Sequence, residues 1–231
     1  MKKRIFYTEL AYAVGLAILA LGTALTVYGN FGISMVVAPA YILHLKMAEL
    51  WPFFSFGVAE YAVQALILAL MVLLLRKARW TYLLSFVSAV LYGTILDGGG
   101  ELTALLPKDS MALRIVVYLL GAGMCVAGIS LLFRSYLPPA AYELFVKELA
   151  KRLKKPDHVL KTVYDCASCV LAVVLSLVFF GRLEGVGIGT VLCALCYGAL
   201  IRLCTKLSDR FWVFKDRFAI RSKFEESEEI V

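Results

Sequence analysis

The sequence predicts an all-α polytopic membrane protein, with six transmembrane helices arranged as two three-helix repeats of inverted topology. Three observations support this fold class: an apolar composition, six long apolar stretches, and an internal duplication. The chain has 231 residues, of which 61% are hydrophobic, and its mean hydropathy is +0.83. Soluble domains are closer to half apolar, so the composition alone indicates a membrane protein whose main partner is the lipid bilayer.

Each of the six stretches is long enough to cross a bilayer, which takes about 20 residues. The predicted spans are 10–28, 53–75, 80–96, 111–133, 159–180 and 187–207. The first stretch is too long for the core of a signal peptide, and no small-residue cleavage site follows it. We therefore expect an uncleaved first span.

The distribution of basic residues predicts the orientation of these spans. All but four of the 24 Lys and Arg residues fall on one side of a six-span arrangement. The four exceptions are Lys46, Lys108, Arg114 and Arg182. Because basic loops stay in the cytoplasm, both termini are predicted to be cytoplasmic. This sorting accounts for the positive net charge, and no soluble domain offers a basic face for nucleic acid.

An internal duplication appears when the sequence is shifted by 105 residues, which places 57–97 over 162–202. Glu60 then falls on Asp165. The other polar matches are Ser85 with Thr190, Ser88 with Cys193, and Tyr92 with Tyr197. Their spacing of i, i+3 and i+7 in both halves corresponds to one helix face.

The duplication divides the chain into a cytoplasmic N-terminus (1–8), repeat 1 (9–97), repeat 2 (111–207) and a cytoplasmic amphipathic tail (208–231). Each repeat is predicted as a span, a short Pro-containing helix, and two further spans. Because each repeat has an odd number of spans, the second is inverted relative to the first. Many secondary transporters and some channels have this design.

The two short helices are predicted at 38–45 and 138–155. The segment "GNFGIS" (29–34) breaks span 1 with glycines, and Ser34 is expected to cap the first short helix. That helix either points its N-terminus into the protein or lies flat at the interface. The second short helix is predicted to lie on the inner membrane surface, with Tyr142 on its apolar face.

Glycines predict two further features. Gly15, Gly22, Gly121, Gly123 and Gly128 lie in spans 1 and 4 and indicate close contact between them. The segment "DGGGE" (97–101) follows span 3 on the outer side. It is expected either to give the outer mouth an acidic bias that concentrates cations or to be a flexible loop.

Glu60 and Asp165 are the strongest candidates for a functional site. A carboxylate in hydrocarbon costs about 3 kcal/mol or more. Glu60 is expected roughly 10 Å from the outer end of its span, and Asp165 roughly 9 Å from the inner end. Either both acids bind a substrate or coupling ion, or each is paired with a buried partner or reaches an interface. The other candidate site residues are Gln64, Ser85, Ser88, Tyr92, Thr190, Tyr197, Asn30 and Ser34.

Two CxxC pairs, Cys166 with Cys169 and Cys193 with Cys196, are weak candidates for a soft-metal site. Repeat 1 has no thiols at the matching positions, and small residues at this spacing commonly serve helix packing. No metal and no cofactor is therefore predicted. All six cysteines lie in or at the edges of predicted spans, which argues against a disulfide framework.

The chain resembles the bacterial YczE/YyaS/YitT group of integral membrane proteins. The resemblance is carried by "YDCASCVLAVVLSLVFFG" (164–181), "EGVGIGTVLCALCYGALI" (184–201) and "GISMVVAPAY" (32–41). The matching positions are Asp165, Gly187, Gly189, Thr190 and Gly198. The resemblance implies a multi-pass protein of the bacterial inner (plasma) membrane and supplies no substrate.

The function predicted from these features is secondary transport of a small cationic or zwitterionic solute, with or without proton coupling. A channel or facilitator built on inverted repeats is the first alternative. The second is a protein that transports nothing, such as a partner-binding subunit or an intramembrane enzyme, although no nucleophile–base constellation supports an enzyme. Homo-oligomer formation is left open.

Overall fold

The chain folds mainly into α-helices, as the apolar runs predict. The computed structural model describes residues 4–76, 80–107, 109–137, 140–155 and 157–216. In these residues the helices are α1 (Thr8–Gly29), α2 (Ala38–Ala48), α3 (Phe56–Leu75), α4 (Trp80–Ala104), α5 (Met111–Leu132), α6 (Ala141–Leu153), α7 (Asp157–Phe180) and α8 (Ile188–Phe211). Two short strands, β1 (Arg4–Tyr7) and β2 (Trp212–Lys215), lie near the chain ends.

Five helices in the described residues are long and apolar enough to cross a membrane. They are α1, α3, α5, the segment Tyr82–Ala104 of α4 and the segment Val163–Phe180 of α7. This is compatible with an all-α membrane protein. The sixth predicted span coincides with α8, which is not among these five, so the six-span topology stays a prediction.

The most extensive helix contact joins α1 and α5. Glycines permit it, because a Cβ atom on Gly22 would lie only 2.8 Å from the carbonyl oxygen of Gly121. Gly15 and Gly128 oppose each other in the same way. The predicted close contact of spans 1 and 4 is confirmed, although Gly123 takes no part, since a Cβ there would meet nothing within 4 Å.

The remaining helices surround this pair. Helix α1 also packs on α4, and α5 packs on α8. Helix α2 lies against α3 and α7, and α6 lies against the same two helices. The largest buried apolar cluster forms where α1, α2, α3 and α4 meet, and it comprises Leu16, Ala20, Ala24, Val37, Ala40, Phe56, Ala59, Tyr92 and Leu96.

Helix α4 extends beyond the predicted third span, and the alternative of a flexible loop at 97–101 is wrong. The Asp97 carboxylate accepts hydrogen bonds from the Gly57 backbone N–H (2.7 Å) and from the Ser55 hydroxyl (2.5 Å). It thereby stabilises the N-terminus of α3, where backbone N–H groups have no partner within their own helix. A Cβ on Gly99 would lie 2.9 Å from Ala24. Tertiary contacts therefore keep this glycine-rich segment helical.

Helix α2 begins inside the bundle and ends at its surface. Ala38 and Ile42 pack against Ala172 in the middle of α7, whereas Lys46 lies over the Phe180 ring at the end of α7 (5.7 Å). The half-helix alternative thus describes α2 better than a flat interfacial helix. The expected Ser34 side-chain cap is absent, and the Ala38 N–H instead bonds to the Ser34 carbonyl oxygen (3.0 Å).

Helix α6 is placed in a similar way, and the prediction that it lies on the membrane surface is wrong for its first half. Ala141 is fully buried and Tyr142 is 4% exposed, because both pack between α3 and α7. Near its C-terminus, Arg152 donates a hydrogen bond to the carbonyl oxygen of Leu74 at the end of α3. Pro138 and Pro139, which precede α6, lie outside the described residues.

The chain ends pair through β1 and β2, which are parallel and run in register from Arg4 opposite Trp212 to Tyr7 opposite Lys215. Within the predicted amphipathic tail, residues 212–215 form a strand, and residues 217–231 lie outside the described residues. The Phe6 ring packs edge-on against Trp212 (5.2 Å between centroids). Alternate residues of β2 face this contact, which favours a strand over a helix.

Candidate functional site

Glu60 lies at the centre of a buried hydrogen-bond network between α3 and α6. Its side chain is fully buried. Its Oε2 atom accepts hydrogen bonds from the Tyr142 hydroxyl (2.8 Å) and from Gln64 Nε2 (3.1 Å). Its Oε1 atom makes no hydrogen bond within the described residues, although it is equally buried. One carboxylate oxygen is thus fixed by two donors while the other keeps its accepting capacity.

Gln64 connects this carboxylate to the N-terminus of α6. Its Oε1 atom accepts a hydrogen bond from the Ala141 backbone N–H (3.1 Å), one of the α6 N–H groups that has no partner within the helix. The Gln64 amide therefore donates to Glu60 and accepts from α6. No ion pair involves Glu60 in the described part of the chain.

The predicted residues of α4 surround the same region without forming an open cavity. Ser85 and Ser88 are buried, and Tyr92 is 6% exposed. The Tyr92 hydroxyl donates to Thr23 of α1 (2.9 Å), and Ser88 hydrogen-bonds to the Tyr12 hydroxyl. Tyr92 lies within electrostatic range of Glu60. These side chains form a packed polar layer between α1 and α4, next to the acid.

Asp165 has a more open environment than Glu60. It lies on α7 and is half-buried, with its Oδ1 atom inaccessible to solvent, and its neighbours Cys166 and Ala167 are exposed. The preceding residue, Tyr164, places its ring 6.4 Å from the Tyr142 ring. A line of aromatic side chains therefore leads from Glu60 through Tyr142 to the Asp165 region. The two acids lie on the two helices that enclose α6.

Asn30, Ser34 and Thr190 belong to a second region, where the end of α1 meets the start of α8. Asn30 ends α1 in the left-handed conformation (φ 57°) and is exposed. It lines a shallow cleft of about 10 Å³, together with Thr26, Val27, Gly32, Ile33, Tyr41 and Gly185. Thr190 is buried and accepts a hydrogen bond from the Gly187 N–H (3.3 Å), so it caps α8. None of these residues contacts Glu60.

The glycines of the two loops in this region are required for their close approach. The Gly189 N–H bonds to the Phe31 carbonyl oxygen (2.7 Å), and the Ile33 N–H bonds to the Gly185 carbonyl oxygen (3.3 Å). Gly32 has φ of 105°, and a Cβ there would lie 2.6 Å from the Gly187 nitrogen. The segment "EGVGIGT" is therefore a packed turn against "GNFGIS".

The structure separates the four cysteines of the two CxxC pairs. Cys166 and Cys196 are exposed, whereas Cys193 is buried with its Sγ atom 3.3 Å from the Tyr118 hydroxyl. Tyr197 is half-buried beside Cys193. Within the described residues no group of three or more His, Cys, Asp or Glu side chains is placed to hold a metal ion.

Tyr142 is the site residue that sequence reasoning missed, since it was assigned to a lipid-facing surface. One signal could have identified it. Two alanines, Ala140 and Ala141, precede it directly, and small residues at the start of a membrane helix permit close approach to a neighbouring helix. Thr23 and Tyr12 were also missed, because nothing local in α1 indicates that they face α4.

Comparisons with known proteins place the chain in a family and supply no activity. No curated protein and no solved structure matches it. The resemblance to the YczE/YyaS/YitT group is untested by these comparisons and stays a prediction. Residues 6–206 match the family described as "Family of unknown function (DUF6198)", and the chain therefore belongs to that family.

Proposed function

We propose that this protein is a secondary transporter of a small cationic or zwitterionic solute and that its intramembrane carboxylates, Glu60 and Asp165, form the site. Glu60 binds the cationic group of the solute or exchanges a proton. Gln64 and Tyr142 hold the carboxylate in place. Tyr92, Ser85 and Ser88 form the polar layer beside it.

One observation carries the proposal: Glu60 is fully buried in an apolar helix, and its Oε1 atom makes no hydrogen bond within the described residues. A buried polar atom without a partner costs about 1–3 kcal/mol, and more when it is charged. Ionisable side chains inside membranes are accordingly uncommon and serve substrate or proton pathways. A cation or a proton at Oε1 would compensate this cost.

We further propose that the chain has six spans and two repeats of inverted topology. The pattern of helix contacts supports this arrangement. The contact of α1 with α4 corresponds to that of α5 with α8, and the contacts of α2 with α3 and α7 correspond to those of α6 with α7 and α3. A two-fold axis in the membrane plane would relate these pairs.

The location proposed is the inner membrane of a bacterium, with both termini in the cytoplasm. The pairing of β1 with β2 supports the placement of both termini on one side. The concentration of Lys and Arg on that side supports the cytoplasmic orientation.

A channel or facilitator is the alternative with structural support, because both short helices begin inside the bundle, as pore helices do. Transport measurements on reconstituted vesicles would separate the two functions. A transporter gives saturable flux that responds to an ion gradient, whereas a channel gives flux that rises linearly with solute concentration.

The first experiment is a thermal-shift screen of the detergent-purified protein with amines, amino acids, metal cations and small anions. A ligand at about 100 times its dissociation constant stabilises the folded state by about 2.7 kcal/mol. We expect a cationic or zwitterionic ligand to stabilise the wild type, and Glu60→Gln and Asp165→Asn to lose the response. Glu101→Gln, which removes an exposed carboxylate of α4, is the matched control and should keep it.

Two results would contradict the proposal. If the responding ligands are anions only, the acids do not bind the solute. If Glu60→Gln and Asp165→Asn respond to a cationic ligand as the wild type does, the acids serve the structure and the site lies elsewhere.

A further inference from the structure

The two halves of the chain differ in two contacts of the last helix, although their other helix contacts correspond. Helix α4 packs along α3 and also reaches α6. Helix α8 holds the equivalent place in the second half, yet it has no comparable contact with α7 or with α2 in the described residues. We call the boundary between two such helices a seam. The α3–α4 seam is closed, because the two helices are in contact, and the α7–α8 seam is open, because they are not.

Two glycines at matching positions show the same difference. A Cβ on Gly93 of α4 would lie 2.9 Å from the Gly57 carbonyl oxygen and 3.0 Å from the Tyr61 ring, both on α3. A Cβ on Gly198 of α8 would meet nothing within 4 Å. The residue that matches Tyr61 in the second half, Cys166, is exposed. Gly198 therefore has the shape for a helix contact that this structure does not make.

The burial of apolar side chains shows the same difference between the two seams as the glycines do. Tyr82 of α4 is buried in a cluster with Leu68 and Met71 of α3 and Leu144 of α6. The neighbouring Phe86 packs against the same cluster. Val191, which matches Phe86 in the second half, is 54% exposed. The α8 surface that would face α7 and α2 is uncovered by either helix; it is apolar at Val191 and Gly198 and carries the exposed Arg202 at the position that matches Asp97.

The exposure of the two acids differs in the same way as the two helix contacts. Glu60, behind the closed seam, has no exposed surface, whereas Asp165, behind the open one, is half-buried.

We propose that the two halves exchange these conformations: α8 closes onto α7 and α2 while α4 separates from α3 and α6. In the exchanged state the part of the Asp165 side chain that is now exposed becomes covered and Glu60 becomes accessible, so access to the two acids alternates. This inference rests on the proposed function for its purpose, which is alternating access, and on the seam contacts for its geometry. The helix that covers the exposed face of α7 in the exchanged state is accordingly α8 of the same chain.

Crosslinking of cysteine pairs tests the exchange without any ligand. The variants keep only the cysteines named for each pair, and the other native cysteines are replaced by serine. The test pair is Cys166 with Gly198→Cys, which the exchanged state brings together. The control pair is Cys166 with Ala199→Cys, one residue further around α8. The reference pair for the closed seam is Ser55→Cys with Asp97→Cys, whose native side chains touch.

Each variant is reconstituted in lipid vesicles and treated with a short bifunctional thiol reagent, and the crosslinked peptides are identified by mass spectrometry. We expect the reference pair and the test pair both to crosslink within one chain. The test pair should react about tenfold faster than the control pair. Irreversible trapping collects the exchanged state even when its population is about 1%. Gly198→Cys should fold, because the added side chain meets open space.

Three results would overturn the exchange. A test pair that reacts no faster than the control pair shows that α8 does not close. Test-pair crosslinks that join two chains, detected by mixing isotope-labelled and unlabelled protein, assign the α7 face to a second copy. If the reference pair does not crosslink, α3 and α4 are not in contact, and the difference between the α3–α4 and α7–α8 seams is not real. The outcome is independent of transport, since a ligand response can occur without the test-pair crosslink, and the crosslink without a ligand response.

Discussion

Glu60 and Asp165 occupy matching positions in the two halves of the chain, but their surroundings differ in almost every respect. Glu60 is enclosed by α3, α4 and α6 and accepts hydrogen bonds from Tyr142 and Gln64. Asp165 lies on a helix whose next two residues are exposed. The local sequence of each acid is similarly apolar. The covering helices therefore decide how costly each charge is to bury and how much of each side chain is exposed.

The two short helices, α6 and α2, also differ in the contacts that their first turns make. The first turn of α6 supplies the Ala141 N–H and the Tyr142 hydroxyl to the network around Glu60. The first turn of α2 instead packs apolar atoms against α7, and Tyr41 makes ring contacts with Phe56 and His44. Two helices with similar placement thus have different chemistry, polar for α6 and apolar for α2.

The largest effect should come from removing the buried acid. We expect Glu60→Ala to lower the free energy of unfolding by about 3 kcal/mol, because it leaves the Tyr142 hydroxyl and the Gln64 amide buried without their acceptor. Asp165→Ala, at the half-exposed matching position, should change it by less than about 1 kcal/mol. Equilibrium unfolding in mixed detergent micelles measures both. Equal losses would remove the contrast between the two acids.

Alanine substitutions at the two matching glycines should change stability by an intermediate amount, with opposite signs at the two positions. Gly93→Ala inserts a methyl group into the closed seam and should destabilise the fold by about 2 kcal/mol. Gly198→Ala adds the same methyl group to open space and should be neutral or stabilising by up to about 1 kcal/mol, through helix propensity. Midpoints of unfolding for the two variants, measured side by side, check the prediction. A comparable loss for Gly198→Ala would mean that the α7–α8 seam is already closed in the resting protein.

The smallest effect concerns the hydroxyl groups of the short helices. Tyr142→Phe removes one donor to Glu60 and should cost about 1 kcal/mol. Tyr41→Phe, on α2, should cost less than about 0.5 kcal/mol, because the contacts that Tyr41 makes through its ring are kept. Thermal unfolding of both variants provides the measurement. If Tyr41→Phe costs as much as Tyr142→Phe, the polar role assigned to α6 alone is wrong.

Much of the helical architecture could be predicted from the sequence. The apolar stretches that became α1, α3, α5 and α7 begin and end within three residues of their predicted bounds. The tight crossing of α1 and α5 was also predictable, because glycines such as Gly22 and Gly121 indicate close backbone approach wherever they recur along an apolar helix. The pairing of Glu60 with Gln64 one turn later follows from helix periodicity alone.

The features that could not be predicted all depend on contacts distant in the chain. The segment 97–101 is helical because Asp97 binds the N-terminus of α3 and Gly99 packs on α1, although its glycines favour a loop. The pairing of β1 with β2 joins residues at opposite ends of the chain. The periodicity of a short segment indicates which of its faces is apolar, but not which distant residues that face will contact.

The sequence by itself determined the apolar helices, the presence of one acid in each of two apolar helices and the close glycine contact of α1 with α5, because composition and helical periodicity are local properties. The tertiary structure alone decided that α6 enters the bundle, that Tyr142 reaches Glu60, and that one seam is closed and the other open. These outcomes depend on which helices become neighbours. Neighbouring positions in space are set by packing of the whole bundle, which no local segment of the sequence specifies.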